Sequence, residues 1–146
     1  MLDYTKNKTW DYILNADYIL KAKNINFGYF EAYGVGEYKD KLLIKGEGNI
    51  LIIYKGYAWD GCTGVPSYDW NLEASLVHDV LYQVKKCPNG KACKANWWQV
   101  DRLFLSMMKN FGASWIQRNT YYMGVRVFGS IFKIEKFNSL TIIDKN

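Results

Sequence analysis

The sequence has few of the residues that mark several common classes of small protein. It contains one histidine, three cysteines and two prolines in 146 residues. An odd cysteine count argues against a disulfide framework. One histidine and three cysteines barely supply the four ligands of a structural zinc site. No apolar run approaches the ~18 residues that a membrane span requires. These absences favour an ordinary soluble globular protein.

Signals for export and for nucleic-acid binding are also missing. The N-terminus lacks the basic start and apolar core of a signal peptide, which predicts a chain that is cytosolic at synthesis. The net charge is +5, but lysine forms no run of five or six. Dispersed lysine favours a solvated surface, so nucleic acid is not an expected partner. The aromatic content of 17% instead indicates amphipathic contact positions in addition to a core.

What remains predicts one α+β domain over residues 1–146. Short β-prone runs predict an antiparallel meander of four or five strands within about residues 10–56, with a hairpin turn at Gly46-Glu47-Gly48. A glycine-rich loop at 57–69 leads to a helical part at about 70–133, and the tail at 134–146 has no clear signal. Strands followed by helices are typical of the α+β class.

Three helices are predicted in the second half. Residues 72–86 are apolar nearly all round, which predicts a buried helix. Residues 97–111 carry an amphipathic stripe that ends at Gly112. Ser114 caps a third helix that runs to about residue 133. The stripe consists of Val100, Leu103, Phe104, Met107, Met108 and Phe111.

The single histidine, His78, lies in an apolar stretch directly before an acid, Asp79. Burying a polar group without a hydrogen-bond partner costs about 1–7 kcal/mol of folding free energy. Tyr82 is one helical turn after His78 and shares its face, whereas Asp79 is rotated by about 100°. Either a backbone carbonyl and a surface lysine satisfy the two polar groups, or the pair takes part in chemistry.

Asp101 is the second polar residue near a predicted apolar face. It precedes Met108 by seven residues and therefore lies within about 20° of it on an ideal helix. Asp101 is either an acid placed at a helix start by the helix dipole, or a partner of His78 across two packed helices. A carboxylate that fixes the imidazole tautomer makes His78 a general base. Water is then the expected nucleophile, with Cys62 as a weak candidate.

The loop at residues 57–66 places two glycines and a proline around Asp60. Such a loop can turn carbonyl oxygens and a carboxylate toward one point, which suits a divalent cation such as calcium. The alternative is a plain strand-to-helix turn in which Asp60 bonds its own backbone.

Arginines are also spaced to share one helical face. Arg118, Tyr122 and Arg126 recur at i, i+4 and i+8. The two arginines either support the site by pairing with Asp60, Asp79 or Asp101, or form a solvated edge.

The chain resembles a phage- and prophage-encoded family of small domains of unknown function over residues 57–129. The shared pattern is an Asp-Gly loop ending in proline, a His-Asp-x-Leu-Tyr helix, an Asp-Arg-Leu-Phe helix and a last helix with Arg, Phe and Gly. In this chain the loop is one residue longer and has Cys62 in place of alanine. The resemblance implies a phage or prophage origin, hence a location in the host cytoplasm or the virion, and implies no activity.

The same motifs are similar to those of secretory calcium-dependent phospholipases. That resemblance implies that Asp60 and Asp79 bind calcium, that His78 activates water and that Asp101 orients His78, with Tyr82 supporting Asp101. The absence of a signal peptide and of that family's disulfides, and the added β half, depart from its pattern.

The leading hypothesis is a phage-encoded hydrolase with a His78–Asp101 dyad and a divalent cation on Asp79 and Asp60, acting on an ester or a lipid. The alternative is a non-catalytic accessory or virion protein that binds a phage or host protein. In that case the same polar residues form a buried network that fixes helix packing.

Overall fold

The computed structural model describes residues 2–6, 12–35, 40–61, 66–128 and 140–146. Within these ranges the chain forms strands first, then helices, then one last strand. The strands are β1 (Tyr4–Lys6), β2 (Tyr12–Leu14), β3 (Tyr18–Lys21), β4 (Gly28–Tyr33), β5 (Leu42–Gly48), β6 (Ile50–Ile53), β7 (Ala58–Trp59) and β8 (Thr141–Asp144), and the helices are α1 (Asp69–Lys86), α2 (Trp97–Asn110) and α3 (Trp115–Phe128).

The strands form two antiparallel sheets, which confirms the α+β prediction. One sheet has the order β1-β2-β7 and the other β3-β6-β5-β4-β8. The sequence did not predict β1, the two-residue strand β7, which lies in the predicted loop at 57–69, or the last strand, β8. The β8 strand pairs with β4, where Phe30 lies opposite Asp144. Such a pairing joins residues more than a hundred positions apart, so the local sequence pattern does not predict the strand.

The predicted hairpin turn at Gly46-Glu47-Gly48 is wrong by two residues. Gly46 pairs with Leu51 inside the ladder between β5 and β6, and the chain reverses at Gly48 and Asn49. A side chain at position 46 would overlap the ring of Phe30 on the neighbouring strand. Gly46 is therefore a packing glycine in a strand, and Gly48, with a φ of +62°, is the turn glycine.

The helices begin and end close to where the sequence places them. The α1 helix starts three residues earlier than predicted, at Asp69. The α2 helix has a reciprocal cap between Asn96 and Gln99 and ends before Gly112, whose φ is +93°. Ser114 accepts a hydrogen bond from the Gln117 N–H at 3.2 Å, as expected of the cap of α3. The predicted extension of α3 past residue 128 lies outside the described residues.

The α1 helix lies at the centre of the packing. Nearly every residue from Asn71 to Val84 is buried. The Trp59 indole donates to Ser75 Oγ at 3.2 Å and the Tyr57 hydroxyl donates to Gln83 Oε1 at 2.8 Å, which joins the first sheet to α1. The α2 helix packs on α1 and α3 packs on α2. This order brings the residues singled out on the three helices to one place.

Among the helices of the described ranges, none has both the length and the apolar composition that crossing a bilayer requires.

Candidate functional site

His78 and Asp101 are in direct contact between α1 and α2. The Nε2 atom of His78 lies 2.9 Å from Asp101 Oδ1. Asp101 is 1% exposed and His78 is 7% exposed. The apolar stripe of α2 explains this geometry, because its packing on α1 turns the border position of Asp101 inward. Of the two readings of Asp101 from the sequence, the structure shows the contact with His78.

Two further side chains hold the same carboxylate. The Tyr82 hydroxyl donates to Asp101 Oδ1 at 2.6 Å, and Arg126 Nη1 on α3 donates to Oδ2 at 3.0 Å. Asp101 therefore bonds to groups from α1 and α3 while it sits on α2. Tyr82 also stacks on His78, with 4.1 Å between ring centroids. The carboxylate is fixed from three sides, so the imidazole that it contacts is fixed as well.

These contacts set the charges of the pair. Burial alone would raise the pKa of Asp101, but its hydrogen bonds to His78, Tyr82 and Arg126 outweigh burial and lower that pKa below its usual range. Burial likewise acts to lower the pKa of His78, yet the carboxylates of Asp101 and Asp79 reverse this and raise it. Asp101 is thus held as an anion, suited to orient and stabilise an imidazole that gains a proton.

The second ring nitrogen of His78 points toward a different carboxyl group. Its Nδ1 atom lies 3.9 Å from Asp79 Oδ1, which is beyond hydrogen-bonding distance. With Nε2 bonded to the Asp101 anion, the neutral ring carries its proton on Nε2 and its lone pair on Nδ1. The basic nitrogen of His78 therefore faces the side of the site where Asp79 lies.

Asp79 is a buried carboxyl group whose hydrogen bonds are incomplete. Its Oδ2 atom is the single buried side-chain nitrogen or oxygen without a hydrogen-bond partner in the part of the chain that the structure describes. Burial, together with the nearby carboxyl group of Asp60, raises the pKa of Asp79 to about 7, against the opposing effect of His78. An orphaned carboxylate oxygen beside a second acid is a costly arrangement unless something else completes it.

The end of the glycine-rich loop is tied to two helices. The Pro66 carbonyl accepts hydrogen bonds from Asn71 Nδ2 at 3.2 Å and from the Tyr121 hydroxyl at 2.7 Å. Asn71 also accepts from the Tyr68 N–H at 2.8 Å and so caps α1. Asp60 lies within the loop and Pro66 ends it, while Cys62 lies outside the described residues. These bonds fix one end of the loop against the helices that carry the site.

Aromatic residues that the sequence did not single out complete the surroundings of His78. The Phe104 ring lies 5.0 Å from the imidazole, and Trp97 packs edge-on against Tyr82 at 4.8 Å. The sequence could have predicted that Phe104 lies near His78, because Phe104 follows Asp101 by one helical turn and shares its face. Trp97 had no such signal, since its partner lies on another helix.

Other predicted site residues lie apart from this cluster. Arg118 donates to the backbone carbonyl of Ala113 at 3.2 Å, whereas Arg126 reaches Asp101. Cys87 and Cys93, which the sequence did not assign to the site, are free thiols, and burial raises the pKa of each. Across the described ranges, no three metal-ligating side chains come together. A cation here would need carbonyl oxygens in addition to Asp79 and Asp60, as calcium commonly uses.

Comparison with known proteins gives a family and no activity. Neither the curated proteins nor the solved structures contain a match to this chain. A family model does match, over residues 39–125, which is more than half of the chain and covers Asp60, His78, Tyr82 and Asp101. The chain therefore belongs to the family described as "Protein of unknown function (DUF1353)".

Proposed function

We propose that this protein is a hydrolase in which His78 activates water. The observation that carries the proposal is the asymmetry of the histidine: Nε2 is bonded to a carboxylate held by Tyr82 and Arg126, while Nδ1 faces Asp79. A buried histidine that only filled a core would need no second carboxylate with an orphaned oxygen beside its other nitrogen. A base, an orienting acid and a further polar group on the side of the basic nitrogen are parts that water activation uses.

The reaction that suits these parts is hydrolysis of a carboxylic ester. His78 Nδ1 takes one proton from water as the water oxygen bonds to the ester carbonyl carbon. The tetrahedral intermediate then collapses, the bond from carbon to the alcohol oxygen breaks, and the alkoxide takes the proton back from His78. Asp101 stays ionised throughout and stabilises the imidazolium ion that forms between the two steps.

Asp79 and Asp60 would hold a divalent cation, with calcium the best fit. The fit rests on the orphaned Asp79 Oδ2, the proximity of Asp60 and the preference of calcium for carboxylate and carbonyl oxygens. When bound, a cation of this kind polarises the ester carbonyl and stabilises the developing oxyanion. It would also remove the cost of burying the Asp79 charge. The resemblance of these motifs to calcium-dependent phospholipases favours a lipid ester as substrate.

The test is ester and phospholipid hydrolysis with calcium or with a chelator, for the wild type and His78→Ala. We expect calcium-dependent turnover that falls by on the order of a thousandfold in His78→Ala, since general acid–base catalysis contributes about 10²–10⁴. Asp79→Asn should abolish the calcium effect. Asp69→Asn, a change of the same kind at an exposed position of the same helix, is the matched control and should retain activity.

Absence of turnover in the wild type, or equal turnover in His78→Ala, would refute the proposal. Calcium binding is measured separately by calorimetry, so a cation site without catalysis would be recognised.

A second candidate is a non-catalytic phage accessory protein that binds a phage or host partner. It is favoured by the way Asp101, itself almost fully buried, joins α1, α2 and α3 through His78 and Arg126. In that case His78→Ala should cost several kcal/mol of stability, roughly 3–5, because it removes a buried partner of the Asp101 carboxylate and leaves a cavity. If His78 is catalytic, His78→Ala should cost little stability and can even stabilise the fold.

A further inference from the structure

We infer that the surface formed by Lys85, Lys86, Trp97, Trp98 and Arg102, here called the cation–indole surface, docks onto an anionic lipid bilayer. The surface lies where the C-terminal end of α1 meets the N-terminal end of α2. It has side chains of two kinds, cationic and aromatic, in contact with one another. The two indoles are 41% and 56% exposed, unusual values for tryptophan in a folded protein.

Two cation–indole contacts define the surface, and a third cation–ring contact joins it to Tyr82. Lys85 Nζ lies 5.0 Å from the Trp97 ring centroid, Lys86 Nζ lies 5.5 Å from that of Tyr82, and the Arg102 guanidinium lies 5.4 Å from that of Trp98. All are within the distance at which a cation is attracted to a ring face. The contacts of Lys85 and Arg102 place positive charge beside the exposed indoles and hold these two long side chains in place before any ligand binds.

The charge of the helical half makes an anionic partner the fitting one. Residues 69–128, which span the three helices, contain eight lysines and arginines and four acids, whereas residues 1–68 contain eight lysines and eight acids. Asp101 is buried and bonded to Arg126, so it presents no negative charge to a partner. The net charge of +5 therefore comes from the helical part, at +4, and from the last 18 residues, at +1, and the basic surface has an electrostatic preference for anions.

The exposed apolar side chains favour a bilayer over nucleic acid. Large exposed hydrophobic residues also occur on the neighbouring helix α3, at Trp115, Ile116 and Met123. Ile116 and Met123 are seven residues apart on α3 and share one face. Aliphatic side chains do not stack on bases, and one face of both Trp97 and Trp98 is already covered by a cation. Tryptophan beside lysine and arginine is instead typical of groups that settle at a membrane interface.

The cation–indole surface adjoins the candidate site through one residue. Tyr82 contacts Trp97 on one side and His78 and Asp101 on the other. Docking would therefore bring the bilayer to the site of the proposed hydrolysis. The docking does not depend on that hydrolysis, since binding can be measured on His78→Ala.

The experiment is vesicle flotation with the full chain carrying His78→Ala, at physiological and at high salt. One set of vesicles is equal parts phosphatidylglycerol and phosphatidylcholine, and the other is phosphatidylcholine alone. A single-stranded oligonucleotide is the competing ligand. We expect binding to the anionic vesicles only, weakened by salt. Lys85→Gln, Lys86→Gln and Arg102→Gln together should weaken it by on the order of a hundredfold, as expected for three cations near an anionic surface.

The matched control removes three exposed lysines from the sheet half: Lys21→Gln, Lys23→Gln and Lys55→Gln. It has the same net charge as the triple variant and should weaken binding by less than about threefold, because those charges lie away from the surface. Trp98→Ala keeps the charge and should also weaken binding. Melting temperatures establish that each variant is folded.

Three results would overturn the inference. They are equal binding to both vesicle types, equal weakening by the two triple variants, and binding to the oligonucleotide without binding to anionic vesicles.

Discussion

The strands and the helices bury different kinds of side chain. In the described ranges every buried residue of the strands is apolar or glycine, and every buried polar or charged side chain lies on α1 or α2. The second group comprises Asn71, Ser75, His78, Asp79, Gln83 and Asp101. Apolar burial stabilises a fold directly, whereas buried polar groups only offset the cost of their own desolvation. The sheets thus contribute stability through apolar burial, whereas the helices carry the buried polar groups that form the candidate site.

The largest expected effect on stability lies in the sheet. Phe30 is fully buried on β4, and its ring covers Gly46 on β5. Phe30→Ala should lower the free energy of unfolding by about 3–5 kcal/mol, because the change leaves a cavity that the strands cannot fill. Denaturant unfolding gives the value. The ring signals of His78, the single histidine, should stay unchanged in the folded variant, and a shift would show that sheet and site are coupled.

A smaller and pH-dependent effect is expected at Asp101. Asp101→Asn keeps the shape but removes the charge that His78, Tyr82 and Arg126 share, and should cost about 1–3 kcal/mol near pH 6. The pKa of Asp101 is lowered in the folded state, so its stabilisation is complete above the ordinary value of 3.8 and is lost as the pH falls through the folded value. The difference in unfolding free energy between wild type and variant should therefore shrink between pH 5 and pH 3 (approximate limits set by that pKa).

Urea unfolding at several pH values measures this difference, with Asp69→Asn as the control for loss of an exposed acid. A difference that grows toward acid would show that Asp101 is not held as an anion.

The smallest effect on stability is expected at Arg126, whose side chain is partly in solvent. Arg126→Gln should destabilise less than Asp101→Asn, since solvent screens an exposed ion pair. It should nevertheless change the ¹⁵N signals of His78, because Arg126 holds the carboxylate that fixes the tautomer. Arg118→Gln, on the same helix but bonded to Ala113, should leave those signals in place. Equal spectra for both variants would remove Arg126 from the set of residues that position the histidine.

Helix features followed from local sequence because their causes are local. The apolar stripe of α2, the stop at Gly112, the Ser114 cap and the shared face of His78 and Tyr82 each depend on residues within about one turn to three turns. The hairpin at Gly46 was misplaced because the reason for that glycine, the ring of Phe30, belongs to another strand. The β8 strand was missed because its partner is β4, and a short run gains strand character only from such pairing.

The sequence by itself determined which polar residues exist, on which helix each lies and which way His78, Tyr82 and Asp101 turn on their own helices. The tertiary structure decided that Asp101 meets His78 and that Arg126 and not Arg118 reaches Asp101. It also left one Asp79 oxygen without a hydrogen-bond partner among the described residues. The physical reason is that helical periodicity is a property of neighbouring residues, whereas contact between helices depends on how whole apolar faces pack. Several packings suit the same periodicity, and the observed one joins the three helices at a single carboxylate.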